Sequence, residues 1–388
     1  MKRFYIISLI LAFLIVDIQS SDNNGFIFFS FDSTALALPD TLDSLKDLVL
    51  IGSNWIGINF IISQDNATSN RVYFDDNTPT FDVWSTFVQH AHQLNLRVLW
   101  KPLIICADES TFFNIIPDNI TLWFSSYGKI IQNLSSSAEI LNIDALSIGL
   151  EFYHLSNKQY TSYWRTLINN IRQGGYKGLL TYSSIFYPYE TSQIEFWDML
   201  DFIGMDFYLP LLNITTHTII PSEQYMIDRF SNYFQRFKQW MNSQPLNISS
   251  KQVILTETGY PSSLAGLAAP FANLPKSCVG NYTGNFTLQN LAFKAFFQAI
   301  ENNPGIINGS LIFWWENPSS RDFQRYGNST VWPCSWSPHG KPAECTIAKA
   351  FGGKCSGSNS GMSATYIRWS NTSVITIIII ALLITIAI

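Results

Sequence analysis

Short apolar runs alternate with amphipathic stretches along most of the 388-residue chain. These runs are mainly apolar and do not strictly alternate with polar residues, which is typical of strands that are buried on both faces of a parallel sheet. They cover residues 25–31, 55–61, 96–103, 144–150, 177–182, 201–207, 252–256 and 309–315. Three of the stretches between them, beginning at Phe81, Tyr160 and Leu288, carry apolar side chains at helical spacing.

Eight strands alternating with helices over residues 21–352 predict one (β/α)8 barrel (TIM barrel) domain. The alternative is a doubly wound open sheet. It is disfavoured because no glycine-rich phosphate loop follows the first run.

Both ends of the chain carry targeting patterns. Residues 1–20 join two basic residues to an apolar stretch and small residues, which predicts a signal peptide. Residues 353–373 form a linker of small and polar residues, and residues 374–388 form an apolar tail with no charge after it. This order predicts a GPI attachment signal, with Asn359 as the attachment residue and the tail removed. The alternative, a membrane helix, lacks the Lys/Arg flank that would orient it.

Further features fit an extracellular protein on the outer face of the cell membrane. The N-x-S/T triplets that allow N-glycosylation begin at Asn66, Asn119, Asn133, Asn213, Asn247, Asn281, Asn285, Asn308 and Asn328. Four cysteines lie late in the chain and allow two disulfide bridges in three pairings, namely Cys278, Cys334, Cys345 and Cys355. The fifth, Cys106, is predicted to be free and buried.

Composition limits the partners. The net charge is −5, there is no basic patch and no Cys/His spacing resembles a zinc site. We therefore expect no nucleic acid partner, no metal and no cofactor, and we expect a monomer.

Two glutamates stand directly after apolar runs, Glu151 after the fourth and Glu257 after the seventh. In a barrel, catalytic groups lie at the C-terminal ends of several strands. Strand alternation places Glu151 on the same face as small residues. We expect this face to point into the barrel, because small residues suit its crowded interior. The same alternation predicts shared faces for Ser147, Gly149 and Glu151, for Gly57 and Asn59, for Gly204, Asp206 and Tyr208, and for Val253, Leu255 and Glu257.

These segments resemble the clan-A (β/α)8 glycoside hydrolases, and most of all the family 113 β-mannanases. The resemblance rests on Gly149-Leu150-Glu151, on residues 200–208 (LDFIGMDFY) and on residues 255–260 (LTETGY). Residues 99–102 (LWKP) and 313–315 (FWW) give weaker support.

The resemblance implies a retaining double displacement on a β-linked, β-mannan-like polysaccharide, with Glu151 as the acid/base and Glu257 as the nucleophile. That reaction requires the two carboxyl groups to lie about 5–5.5 Å apart and the pKa of Glu151 to be raised. The resemblance further implies that Tyr208 binds the nucleophile and that Trp314 or Trp315 forms the floor of the pocket. The predicted substrate-binding residues are Asn59, Lys101, Tyr182, Asp206, Tyr208, Trp314 and Trp315.

Two departures from the clan pattern leave alternatives open. Many clan members have Asn directly before the acid/base Glu, where this chain has Leu150, and residues 103–106 are apolar where relatives tend to be polar. A non-catalytic glycan-binding or adhesion protein on a hydrolase-like barrel is one alternative. A transglycosylase that remodels surface glycan is another. For Asp206, a structural ion pair with Lys101 is the alternative to contact with sugar.

Overall fold

The computed structural model describes residues 23–29, 32–212, 220–272, 284–315 and 334–355. The strands of the described chain form one sheet: β1 (Asn23–Phe29), β2 (Trp55–Gln64), β3 (Val72–Tyr73), β4 (Arg97–Cys106), β5 (Ala145–Leu150), β6 (Leu179–Ile185), β7 (Ile203–Phe207), β8 (Val253–Thr258) and β9 (Gly309–Phe313). All except the short β3 run parallel, and they close into a barrel because β1 pairs with both β2 and β9. The predicted (β/α)8 barrel is confirmed, and each of the eight predicted strands overlaps an observed one.

Helices surround this barrel. They are α1 (Pro39–Ile51), α2 (Phe81–Gln93), α3 (Ile120–Ile140), α4 (Thr161–Gln173), α5 (Glu223–Ser243), α6 (Leu246–Ser249), α7 (Leu264–Ala268), α8 (Phe286–Asn302) and α9 (Pro342–Phe351). The three predicted helical stripes correspond to α2, α4 and α8. Several helices begin where a side-chain oxygen accepts a hydrogen bond from a backbone N–H in the first turn, which stabilises the helix end. The capping residues are Thr80, Asn119, Ser222, Ser263 and Asn285.

The regular alternation breaks between β6 and β7. Where the repeating unit predicts a helix, the chain forms only a 3-10 turn at Trp197–Met199. Arg165 of α4 reaches this turn and pairs with Asp198, with 2.6 Å between Nη2 and Oδ1. The residues between β6 and the turn therefore form a long loop over this side of the barrel.

Two apolar layers position the site. The larger one lies between the strands and the helices, and the smaller one lies inside the barrel. The inner layer consists of Ile27, Trp55, Leu99, Ala145, Phe202, Ile254 and Leu311. Gly57 makes room for it, because a Cβ on this residue would lie 2.3 Å from Cδ1 of Ile27. Most of the inner layer lies in the early part of the strands, so the C-terminal end of the barrel is left for polar side chains.

The last described residues pack at the opposite, N-terminal face of the barrel. The backbone N–H of Lys354 donates to the carbonyl oxygen of Leu50 at the end of α1, close to the start of β2. A disulfide bond joins Cys345 to Cys355 and closes a loop around the end of α9. Cys106 is free and buried, as predicted.

Several sequence predictions fall partly or wholly outside the described residues. These are the signal peptide at 1–20, the attachment residue Asn359, the tail at 374–388, Cys278, Asn213, Asn281 and Asn328. Cys334 is disulfide-bonded. Within the described ranges, no helix is both long enough and apolar enough to cross a membrane.

Candidate active site

Glu257 lies near the end of β8 and is held by three side-chain donors. Its Oε1 accepts from Nδ2 of Asn59 at 2.7 Å and from Nζ of Lys101 at 2.6 Å, and its Oε2 accepts from Oη of Tyr208 at 2.7 Å. Hydrogen bonds from donors, one of them a cation, stabilise the carboxylate form and fix its orientation. Asn59 and Tyr208 therefore both hold Glu257, and their contact with substrate stays a prediction.

Lys101 and Asp206 form a completely enclosed ion pair beneath Glu257. Nζ of Lys101 lies 2.9 Å and 3.2 Å from the two carboxyl oxygens of Asp206 and 3.1 Å from the carbonyl oxygen of Thr256. Burial lowers the pKa of Lys101, but Asp206 and Glu257 outweigh it and the net pKa is raised. Burial and the charge of Glu257 raise the pKa of Asp206 to about 7, against the opposing effect of Lys101.

This geometry corrects the prediction that Lys101 and Asp206 bind substrate. The Lys101 side chain has no exposed surface, and its ammonium group already donates to Asp206, Thr256 and Glu257. Asp206 is similarly enclosed and also accepts from Oγ1 of Thr256 at 2.6 Å. The pair therefore supplies the positive charge and the rigidity that orient Glu257, and no sugar reaches it.

Glu151 has a contrasting environment. It is partly exposed at the C-terminal end of the barrel, and no described residue donates a hydrogen bond to its carboxyl group. Enough atoms still surround it that loss of hydration raises its pKa well above the ordinary value. The negative charges of Asp206, Glu257 and Glu190 raise it further, and Lys101 opposes them. One cation lies among several carboxylates, so the surroundings favour the protonated form of Glu151.

A bulge in β5 precedes Glu151. Ser147 lies opposite Thr181 on β6, but the next paired residues are Leu150 and Ser183, so β5 has one more residue than its partner in this segment. Glu151 then takes a left-handed backbone conformation with φ of 50°. Its backbone N–H donates to the carbonyl oxygen of Ser183 at 2.8 Å.

Because of this bulge, the prediction that Gly149 shares a face with Glu151 is wrong. A Cβ on Gly149 would lie 2.6 Å from Cε2 of Tyr182 and 3.0 Å from Cη2 of Trp164, and both rings belong to the layer between barrel and helices. Gly149 therefore faces outward and does not share a face with Glu151. Its small size matters because the two rings occupy the space a side chain would need.

A register shift between β7 and β8 overturns the predicted shared face of Val253, Leu255 and Glu257. Val253 and Leu255 pack in the helix-side layer and do not share the interior face with Glu257. Leu255 and Glu257 lie opposite consecutive residues of β7, so Thr256 is the extra residue. Because of it, both Thr256 and Glu257 contact groups inside the barrel.

The two tryptophans after β9 have different surroundings. Trp315 is 1% exposed, packs in the helix-side layer and stacks on the His339 ring at 4.2 Å, so the prediction that it floors the pocket is wrong. Trp314 is half-buried, with its ring centroid 4.8 Å from Phe313 and 5.5 Å from Trp336. Of these two tryptophans, only Trp314 remains a candidate for the floor of the substrate pocket.

Tyr182 does not line the pocket either. It has no exposed surface, and its hydroxyl group donates to Oε1 of Glu190 at 2.5 Å and accepts from the backbone N–H of Phe152 at 2.9 Å. Glu190 was not predicted. It lies in the loop after β6, away from any strand end, and no pattern in the sequence marks it. Burial raises the pKa of Glu190 to about 7.

Tyr208→Phe removes one donor to Glu257 and leaves the ring in place. We expect kcat to fall by about 100-fold with little change in KM, because the lost hydrogen bond orients a reacting group. Tyr233→Phe is the matched control, since the Tyr233 hydroxyl donates to Sδ of Met205 on the same strand, outside the site. Steady-state kinetics on both variants measure the difference, and equal kcat values would contradict the role of Tyr208.

Glu190→Gln tests the buried carboxyl through stability. The pKa of Glu190 is raised from 4.5 to about 7, so between these values the folded protein binds more protons than the unfolded chain. The free energy of unfolding must then fall as pH rises, and for this group the fall is at most about 3 kcal/mol. Gln does not titrate, so we expect the variant to lose stability less steeply than the wild type between pH 5 and pH 8 in urea unfolding.

The control for this experiment is Glu195→Gln, an exposed position on the same loop. It should keep the pH dependence of the wild type. Parallel stability profiles for Glu190→Gln and Glu195→Gln would show that Glu190 titrates normally.

Known proteins provide an independent comparison. The structure is similar to a solved GH113 β-1,4-mannanase, with a TM-score of 0.68, 21% sequence identity, and 85% of this chain and 98% of that chain covered. A GH113 β-mannanase from Alicyclobacillus acidocaldarius gives a TM-score of 0.67 and 20% identity, with 84% and 96% of the two chains covered. XacCel5A, solved in complex with cellopentaose, is more distant, with a TM-score of 0.54, 12% identity, and 85% and 99% covered.

At these identities the solved structures bear on the fold alone. No curated protein matches the sequence significantly. The family model for Glycoside Hydrolase Family 113 matches residues 28–328, a span that contains both glutamates and the residues that hold them. The resemblance expected from the sequence is therefore confirmed, and the chain is a glycoside hydrolase that belongs to Glycoside Hydrolase Family 113.

Proposed function

We propose that this glycoside hydrolase cleaves a β-linked polysaccharide of the β-mannan type with retention of anomeric configuration. The observation that carries the proposal is the unequal environment of two carboxyl groups at one end of the barrel. Glu257 accepts hydrogen bonds from three side chains, including a buried cation. Glu151 accepts none from the described residues and has a raised pKa.

This inequality assigns different roles in a double displacement. Glu257, as the carboxylate, attacks the anomeric carbon while Glu151 gives its proton to the departing glycosidic oxygen. Water then attacks the glycosyl-enzyme, Glu151 takes a proton from that water, and the bond to Glu257 breaks. Both groups return to their starting protonation states, so no metal or cofactor enters the cycle.

The choice of β-mannan rests on the family and on its solved members, which are named β-mannanases. Leu150 is the residue of the site that departs most from the expected pattern. Its side chain is buried directly before the acid/base and offers no polar group to a sugar. Specificity for the sugar is therefore the part of the proposal that most needs a direct assay.

The decisive experiment is a screen of the purified barrel against β-mannan, cellulose and xylan, followed by proton NMR of the first product. We expect reducing ends from β-mannan and the β-anomer before mutarotation. Early appearance of the α-anomer would exclude retention, and activity only on another glycan would exclude β-mannan. Products longer than the substrate would favour transglycosylation.

We also infer that the enzyme acts at the outer face of the cell membrane, attached by a GPI anchor. The sequence patterns of residues 1–20 and 353–388 support this location. Among the predicted glycosylation sites, Asn119, Asn133 and Asn247 are exposed. Phosphatidylinositol-specific phospholipase C should release the protein from cells, and Asn359→Gln should reduce the released amount. Retention on the membrane after phospholipase treatment would argue for a membrane helix.

A further inference from the structure

We propose that Tyr182 and Glu190 form a positioning pair for Glu151, because they fix the peptide group that follows it. This inference rests on the proposed function, in which Glu151 is the acid/base. Neither residue of the pair touches the substrate pocket, since both side chains are completely buried.

A continuous chain of hydrogen bonds links the end of β6 to Glu151. The backbone N–H of Ile185 donates to Oε2 of Glu190 at 2.7 Å, and the Tyr182 hydroxyl donates to Oε1 of Glu190 at 2.5 Å. The backbone N–H of Phe152, the residue after Glu151, donates to the Tyr182 hydroxyl oxygen at 2.9 Å.

The donor directions in this chain are fixed. A backbone N–H can only donate, so the hydroxyl oxygen of Tyr182 must accept from Phe152. The single hydroxyl proton of Tyr182 then goes to Glu190, whose two oxygens are each occupied by one donor. Exchange of any member for a group with a different donor pattern leaves a buried polar group without a partner, which is costly.

Glu151 needs such support for a structural reason. No hydrogen bond from the described residues holds its carboxyl group, so backbone geometry determines where the proton donor lies. That backbone has φ of 50°, a left-handed conformation that non-glycine residues adopt only at an energetic cost. The hydrogen bond from Phe152 to Tyr182 holds the peptide on one side of Glu151. The bond from Glu151 N–H to the carbonyl oxygen of Ser183 holds the other side.

The pair also acts on Glu151 through charge. The described groups that influence the pKa of Glu190 come from three elements: Tyr182 and Ile185 on β6, Asp206 on β7 and Ser156 in the segment after β5. Glu190 in turn raises the pKa of Glu151, together with Asp206 and Glu257. A negative charge on Glu190 therefore favours the protonated form of Glu151.

Tyr182→Phe tests the positioning role, since it removes the hydroxyl and leaves the ring. We expect kcat to fall by about tenfold to hundredfold and KM to change by less than about twofold, because a displaced acid/base weakens the transition state more than substrate binding. The matched control is Tyr127→Phe. The Tyr127 hydroxyl is equally buried and donates to the carbonyl oxygen of Ile148 on β5, three residues before Glu151. It should lose similar stability and keep kcat.

A second measurement needs no substrate, so it separates this inference from the proposed function. Carbon-13 NMR of glutamate-labelled protein, with Glu151→Gln to assign the signal, follows the titration of Glu151. We expect Glu190→Gln to lower the titration midpoint because a negative charge is removed, and Tyr182→Phe to shift it although no charge changes. Tyr127→Phe should leave it unchanged.

The outcomes distinguish the two hypotheses. If the wild-type protein cleaves no β-linked glycan but both midpoints shift, the proposed function fails and the positioning pair stands. If Tyr182→Phe matches Tyr127→Phe in kcat and in the Glu151 midpoint, the pair is only structural and the inference is wrong.

Discussion

Glu257→Ala is expected to lower kcat on the cognate polysaccharide roughly ten-thousand-fold or more, since the covalent intermediate can no longer form. The barrel should stay folded, because the change removes one of the two carboxylates that share the Lys101 ammonium group. The remaining pair of Lys101 and Asp206 is balanced in charge. Steady-state kinetics and thermal unfolding of the same preparation measure both effects.

The space left by the Glu257 carboxyl group provides a positive test of its role. Azide that enters this space can attack the anomeric carbon while Glu151 protonates the leaving oxygen, and the product is a glycosyl azide of inverted configuration. Glu301→Ala is the control, since Glu301 is an exposed residue of α8 and its loss should leave kcat unchanged. Full activity in Glu257→Ala without azide would remove Glu257 as the nucleophile.

Lys101→Met is expected to cause the largest loss of stability of any single change in the site. It leaves Asp206 and Glu257 buried without the cation that both contact, at 2.9 Å and 2.6 Å from Nζ. Removing one partner from a buried ionic group typically costs about 3–5 kcal/mol, because an uncompensated charge remains. Urea unfolding at pH 8, above the pKa of about 7 of Asp206, should show the full effect.

Two further variants make this prediction specific. Lys46→Met breaks an ion pair with Asp43 in which both side chains are more than 60% exposed, and it should leave the unfolding midpoint unchanged. Adding Asp206→Asn to Lys101→Met removes one unpaired charge and should restore part of the lost stability. If Lys101→Met unfolds at the same urea concentration as Lys46→Met, the buried cluster does not depend on its cation.

The barrel fold could be predicted from the sequence because strand burial and helical periodicity are local properties. Each predicted strand needed only its own apolar residues, and the rhythm of strands and helices then defined the architecture. The same argument predicts a helix between β6 and β7, where the chain has only a 3-10 turn. The prediction fails there because a well-packed loop can cover a strand as a helix does.

The site was less predictable because side-chain direction depends on pairing between strands. Alternation predicts the face of a residue only while the ladder is regular, and the bulges in β5 and β8 shift the register before Glu151 and Glu257. Both glutamates are identified by their positions at strand ends, which the bulges do not change. The predicted faces of Gly149 and Leu255 depend on alternation alone, and for these two residues the prediction is wrong.

The surroundings of aromatic residues and of loop residues are the hardest to predict from the sequence. Tyr182 and Trp315 are aromatic residues close to the C-terminal ends of strands, and sequence does not distinguish a ring that faces sugar from one that faces a helix. Glu190 has no neighbouring motif, and its role depends on contacts with Tyr182 and Ile185 that only the fold creates.

The position of Cys355 determines at which face of the barrel a C-terminal attachment begins. The disulfide with Cys345 and the contact of Lys354 with α1 fix this point at the N-terminal face of the barrel, and Glu151 and Glu257 lie at the other face. A tether that begins at Cys355 therefore starts on the face opposite Glu151 and Glu257. Attachment to a membrane, a bead or a fused protein at this point does not occupy the face of the barrel that carries the two glutamates.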